Sequence, residues 1–433
     1  MPAPSALRAL AVAAALLAAP GCGDDPTAPS DAGDADAAAP QDTVVPGPPL
    51  LGARAEAYDP AATAAPRPWG ASLAAVPVDL AEVLVIPLDL YGIPWSSFSG
   101  PDNQPTDLPG PWVSAVNALK ALAAERGLPI VLALTPLAPT WDTLAPEARE
   151  QSGTLILNAT WRPNCYNPAT DGNPTKWRDA YAGYVVWAVK QFSPRWVVLG
   201  QRMNRYEENC GLAPYTALLD YPAEADRRLK ALEDFTPPTT IVGVDVEDLY
   251  GYPQKPGRCV SVTPAACLAQ RAALLEPITA DLLGLDSYPA FALEDLAALP
   301  SDWLGAVAAL RPDLPAAVIG TSLPAVSLSR RTNVCTPLLD SSEALQSQWL
   351  DQVLATAQSR AMPFVIWRSL VDLLPADVVS SCPCAGDATL CAHFDGLGGN
   401  ADDARRLTAA GLVDQDGVQR AATSLWRQAL NRD

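Results

Sequence analysis

The stretch WVVLGQRMN, residues 196–204, decides how the rest of the chain is read. Trp196, Val197, Val198 and Leu199 form an unbroken apolar run, and Gly200 ends it before Gln201, Arg202, Met203 and Asn204 follow. A strand with one wet face alternates apolar and polar residues. A continuous run is buried on both faces, as in a parallel sheet covered by helices. Runs of this kind recur near 51–57, 83–90, 129–136, 196–202, 239–246, 281–287, 315–321 and 362–369. Between them lie amphipathic helical patterns at 111–126, 175–193, 222–235, 265–279, 293–311, 341–360 and 418–430. In the second of these, Trp177, Tyr181, Tyr184 and Trp187 fall on one face, which reads as helix packing against the sheet. Eight strand runs alternating with seven helical patterns predict an α/β fold, a (β/α)8 TIM barrel over residues 50–433. The alternative is an open doubly wound sheet, but no glycine-rich phosphate loop follows the early strands.

The segment before the barrel reads as an export and tethering device. Residues 1–21 carry Arg8 and a short apolar core ending at Cys22, the pattern of a lipoprotein-type signal peptide, though Ala19 and Pro20 depart from the usual cleavage box. Cys22 is the expected lipidation site, which places the protein in a bacterial cell envelope, lipid-anchored, with plain secretion as the alternative. Residues 22–49 are acidic and rich in proline and alanine, too poor in large apolar groups to fold, and read as a disordered tether. The full chain carries a net charge of −19, which argues against nucleic acid as a partner and leaves the lipid as the only tie to a membrane.

Cys165, Cys210, Cys259, Cys267, Cys335, Cys382, Cys384 and Cys391 remain once Cys22 is set aside, an even number in an exported chain. All eight fall in segments that follow barrel strands, on the face where TIM barrels carry their chemistry. The expectation is at least three disulfides on that face. Cys165–Cys210 and Cys259–Cys267 are the favoured pairs, with the connectivity left open by sequence. Cys382 and Cys384 have metal-like spacing, but the single histidine, His393, reads as a loop residue, so no metal and no cofactor are expected.

With this layout the chain resembles the clan A glycoside hydrolases, and within them the endo-β-1,4-galactanases. The phrases that carry the resemblance are LLGLDSYP at 282–289, FVIWRSLVD at 364–372 and GLVDQDGVQRAATSLW at 411–426. The resemblance implies a retaining mechanism with two carboxyls about 5–5.5 Å apart, one an acid/base and one a nucleophile. In that family the fourth strand ends in a Gly-Asn-Glu phrase and the seventh in a Glu-Thr-Gly phrase. Here the corresponding positions are Arg202 and Gly320. An arginine donates no proton near neutral pH, and a glycine has no side chain to attack with. Possible stand-ins are Glu207, Asp245 and Asp286, with Asp245 also a candidate partner for Arg202. Glu207 and Glu208 read in the first place as solvated loop acids.

Asp89, Trp95, Asn204, Tyr288, Thr321 and Trp367 are the candidate ligand-binding residues, joined by Trp141 and Trp161 in an aromatic inventory suited to pyranose faces. The expected partner is a polysaccharide or oligosaccharide, with uronate-containing glycans suggested by the positive charge of Arg202. The function read from the sequence is therefore carbohydrate binding without retaining glycosidase activity. The alternatives are an active hydrolase using relocated acids, and a scaffold for protein contacts with the mouth plugged by residues 138–173.

Overall fold

The computed structural model describes residues 48–54, 78–88, 92–100, 102, 104–252, 259, 262–291, 293, 299–331, 335–368, 370, 372, 410–414 and 417–430. Eight strands close into a barrel: Leu50–Arg54, Val83–Pro87, Ile130–Ala133, Trp196–Gly200, Thr239–Asp245, Leu282–Ser287, Ala316–Thr321 and Phe364–Trp367. Each pairs in parallel with its chain neighbours, and the first closes on the eighth with Leu50 opposite Phe364. The fold is a TIM barrel, as expected from the repeated apolar runs.

The expected strands were in most cases too long, because the chain leaves the ladder early to build the mouth. The fourth strand stops at Gly200, and the pairing shifts register just before it, between Val198 and Gly200. A second irregularity falls between Leu285 and Asp286, and a third between Val365 and Trp367. Such irregularities re-aim side chains at strand ends.

Two apolar layers hold the barrel. Inside it, Val83, Val85, Val131, Val198, Ile241 and Ile319 pack around Trp196 and Phe364, whose ring centroids lie 5.1 Å apart. Ile319 fits only because Gly243 and Gly284 face it: a Cβ at either would stand 2.5 or 2.8 Å from its Cδ1. Outside, the helix Pro174–Phe192 buries Trp177, Tyr181 and Tyr184 as its periodicity predicts.

Helices follow the expected spans with shorter ends. The pattern over 222–235 folds as Asp220–Lys230, and that over 265–279 stops at Arg271, where a 3-10 turn covers Ala272–Leu274. Two antiparallel hairpins were not anticipated, Glu147–Gln151 with Thr154–Asn158 and Val326–Arg331 with Cys335–Ser342. Nor were the short helices Asn204–Cys210 and Leu212–Leu218 behind the fourth strand. Each is a decoration of a loop, where no long period signals it.

Both favoured disulfides are formed, Cys165–Cys210 and Cys259–Cys267. Cys22, Cys382, Cys384, Cys391 and His393 lie outside the described residues, as do residues 1–47, which hold the expected signal segment and all but the last two residues of the expected tether.

Candidate functional site

The mouth is built where strands four to eight end. After Gly200 the chain turns sharply. Arg202 adopts a left-handed backbone with φ 45°, and the Met203 amide donates to the Gly243 carbonyl at 2.9 Å. The turn throws the Arg202 side chain across the mouth. Its Nε donates to Asp286 Oδ2 at 2.7 Å, and its Nη1 lies 3.5 Å from Asp245 Oδ2. Its guanidinium carbon sits 4.7 Å from the Tyr288 ring centroid and 5.8 Å from that of Trp141. Burial alone would lower the pKa of this guanidinium, but the carboxylates of Asp286 and Asp245 outweigh it and hold the group charged.

Asn204 locks the turn to strand five. Its amide nitrogen donates to the Asp245 carbonyl at 2.9 Å and to Asp248 Oδ2 at 2.6 Å, while its oxygen accepts from the Asp245 amide at 2.7 Å. Asn204 is fully buried, so all three contacts are internal. Asp245 serves a second purpose by capping the short helix Val246–Leu249, its Oδ1 accepting from the Asp248 amide at 2.8 Å.

Gly320, the penultimate residue of strand seven, pairs with Asp286. A Cβ at this position would stand 2.4 Å from Tyr288 Oη and 2.5 Å from Asp286 Oδ1. The space that a side chain at this position would enter is therefore filled by the end of strand six and the residue after it. Gly320 is not among the glycines with positive φ, so the obstacle to a side chain is contact and not backbone strain. Asp286 Oδ1 is buried and has no hydrogen-bond partner among the described residues.

The remaining sequence candidates are distributed as follows. Glu207 lies 3.2 Å from Arg271, which also donates to Asp248 at 2.6 Å. Glu208 pairs with Arg205 at 3.0 Å. Trp95 and Trp367 are fully buried, with their indole N–H groups donating to the carbonyls of Ala145 and Ala410 at 2.9 Å each. Thr321 turns away from the mouth, its hydroxyl accepting from the Trp349 indole at 3.0 Å. Tyr288 lies in the mouth beneath Arg202, with the Arg368 guanidinium 5.2 Å from its ring centroid. Asp89 lies outside the described residues.

Sequence reasoning passed over Glu247 and Asp248. Glu247 is buried beneath the mouth, accepting from Ser287 Oγ at 2.6 Å, and desolvation pushes its pKa up to about 8, with the charge of Asp245 adding to the effect. Burial likewise raises Asp248, against the opposing pull of Arg271. The available signal was the run VDVED at 244–248, three carboxyls in five residues at a strand end. No group of three or more metal-ligating side chains is found among the described residues.

No protein-family model matches the chain, and no curated protein matches it in sequence. The chain is similar in fold to solved structures of glycoside hydrolases. An exo-β-1,4-mannosidase from Opitutaceae bacterium strain TAV5 shares 13% identity at a TM-score of 0.49, over 88% of this chain and 58% of that one. A fungal β-1,4-galactanase shares 14% identity at a TM-score of 0.46, over 84% and 91% of the two chains. An endo-laminarinase from Formosa shares 10% identity at a TM-score of 0.45, over 89% and 88%. The chain thus spans just under three fifths of the mannosidase, and the barrel assignment rests on its own strand pairing.

Proposed function

We propose that this is an exported, lipid-tethered glycoside-hydrolase-like barrel that binds carbohydrate and lacks retaining glycosidase activity. The observation that carries the reading is the state of Arg202. It stands where the resembling family has its acid/base, and it is fastened to Asp286 and Asp245, two of the acids that could have replaced it. The space for a nucleophile beside Gly320 is taken by Tyr288 and Asp286. General acid catalysis is worth about 10²–10⁴-fold, and without a nucleophile no glycosyl-enzyme intermediate forms.

The same ion pairs bear on the active-hydrolase alternative. Asp245 and Asp286 are held by Arg202, and Glu207 lies against Arg271. A relocated acid from this set must first be released from its cation. They bear on ligand charge as well. A uronate carboxylate has to displace Asp286 from Arg202, so neutral glycans fit the mouth better than uronates.

The test of activity is incubation with aryl β-galactosides and β-glucosides and with mechanism-based fluoroglycosides. The expected result is turnover at background and no covalent label. Hydrolysis abolished by Glu207→Gln, Asp245→Asn or Asp286→Asn refutes the reading. Mass analysis of the mature N-terminal peptide tests the lipid on Cys22, with an unmodified cysteine counting against it.

A further inference from the structure

We propose that Trp141 is the platform on which a neutral pyranose ring lies, held in place by Asn209 and the Cys165–Cys210 disulfide. The inference rests on the carbohydrate-binding reading and names the residue and ligand class that serve it.

The aromatic side chains about the mouth are not equivalent. Trp95 and Trp367 are fully buried, and Tyr288 is nearly so. Trp161 is wedged between Trp95 and Trp177, with ring centroids 5.1 and 5.0 Å away, and its N–H donates to the Ala145 carbonyl at 2.8 Å. Trp141 keeps part of its surface in solvent, and its ring centroid is 5.8 Å from the Arg202 guanidinium, which places it at the mouth.

Its backbone is held where a bulky residue seldom rests. Trp141 has φ 58°, in the left-handed region that costs a non-glycine residue about 1 kcal/mol or more. Such a conformation persists only when its surroundings impose it. Here the Trp141 amide donates to the Ala138 carbonyl at 2.9 Å. Asn209 Nδ2 donates to the carbonyls of Trp141 at 3.0 Å and Thr140 at 3.3 Å. The next residue, Asp142, is gripped in turn: its carbonyl accepts from the Cys165 amide and its side chain from Asn164 Nδ2 at 3.0 Å. Cys165 is joined to Cys210, the neighbour of Asn209 on the strand-four helix. Two adjacent residues of one helix thus clamp the three residues centred on Trp141.

A clamp of this kind fixes the backbone that presents the partly exposed indole at the mouth. Packing alone does not require that, since the ring is only partly covered. A flat apolar face fixed in advance suits the C–H face of a pyranose and spares the ordering cost of binding. The charge of the guanidinium beneath the indole is already met by Asp286 and Asp245, which is why the platform selects a neutral sugar.

The test uses the full chain with its disulfides intact, titrated against galacto-, gluco- and manno-oligosaccharides and polygalacturonate by calorimetry. The parent is expected to bind a neutral oligosaccharide. Trp141→Ala is expected to weaken that binding about tenfold with an unchanged urea midpoint, and Trp141→Phe less. Asn209→Ala and the Cys165→Ser/Cys210→Ser pair are expected to weaken binding in the parent but to add nothing in a Trp141→Ala background. That dependence marks a positioning role and not a merely structural one. Parent-like affinity in Trp141→Ala overturns the platform and leaves the carbohydrate reading standing. No binding of any glycan by the parent overturns both, and binding of polygalacturonate alone overturns the neutral ligand class.

Discussion

Arg202→Met strands two buried carboxylates, and its cost can be worked from the structure. Asp245 and Asp286 are 3% and 5% exposed, and Arg202 lies 3.5 and 2.7 Å from them. Arg205 approaches Asp245 only to 4.0 Å, too far to take over. Removing one partner of a buried ion pair costs about 3–5 kcal/mol, because the charge left behind is neither hydrated nor paired. Unfolding entropy of about 2.1 cal/mol/K per residue, over the ~380 residues of the barrel, gives about 0.8 kcal/mol/K. The expected fall in Tm is therefore about 4–6 °C. Calorimetry and urea unfolding at pH 7, with disulfides intact, measure it. Arg202→Met with Asp286→Asn should lose less than Arg202→Met alone, since only one stranded charge remains. A variant within about 1 kcal/mol of the parent at pH 7 refutes the claim that this arginine neutralises the mouth.

Gly320→Ala should destabilise the barrel by about 1–3 kcal/mol, because its Cβ meets Tyr288 Oη and Asp286 Oδ1, and Tyr288→Phe in the same background should recover part of the loss. For the same reason Arg202→Glu with Gly320→Glu should yield no glycosidase activity, and measured turnover by that variant counts against the steric argument. Glu247 is an acid whose folded pKa, about 8, stands above its ordinary 4.5, so the native state holds the extra proton between these values. Its contribution to stability is present below about 4.5 and is lost as pH rises through 8; Glu247→Gln should flatten the fall of the urea midpoint over that window, and an unchanged slope contradicts it. Asp372 and Arg420 form a buried two-point ion pair that also ties in Gly411, so Arg420→Met should cost about 3–5 kcal/mol by urea unfolding. Non-reducing peptide mapping should recover Cys165–Cys210 and Cys259–Cys267 as linked pairs, and free thiols at these four positions contradict the structure.

The barrel is legible in the chain before any tertiary contact is known. Apolar runs such as VVLG at 197–200 and TIVGV at 240–244 are buried on both faces, and local periodicity carries that information without knowledge of any partner. It also placed Arg202 and Gly320 at the ends of the fourth and seventh strands, since strand ends are legible from where the runs stop. The two disulfides followed from the placement of cysteines in loops on one face. What the polar residues do emerges only once the chain is folded. Arg202 has its shorter contact with Asp286, 84 positions away, and not with the anticipated Asp245. Tyr288, one residue past strand six, fills the space beside Gly320, and Asn209 clamps a tryptophan 68 residues upstream. Burial is written in the pattern of one segment. The partner of a charge, or the exposed face of a ring, depends on which loop closes over the mouth, and no single segment encodes that.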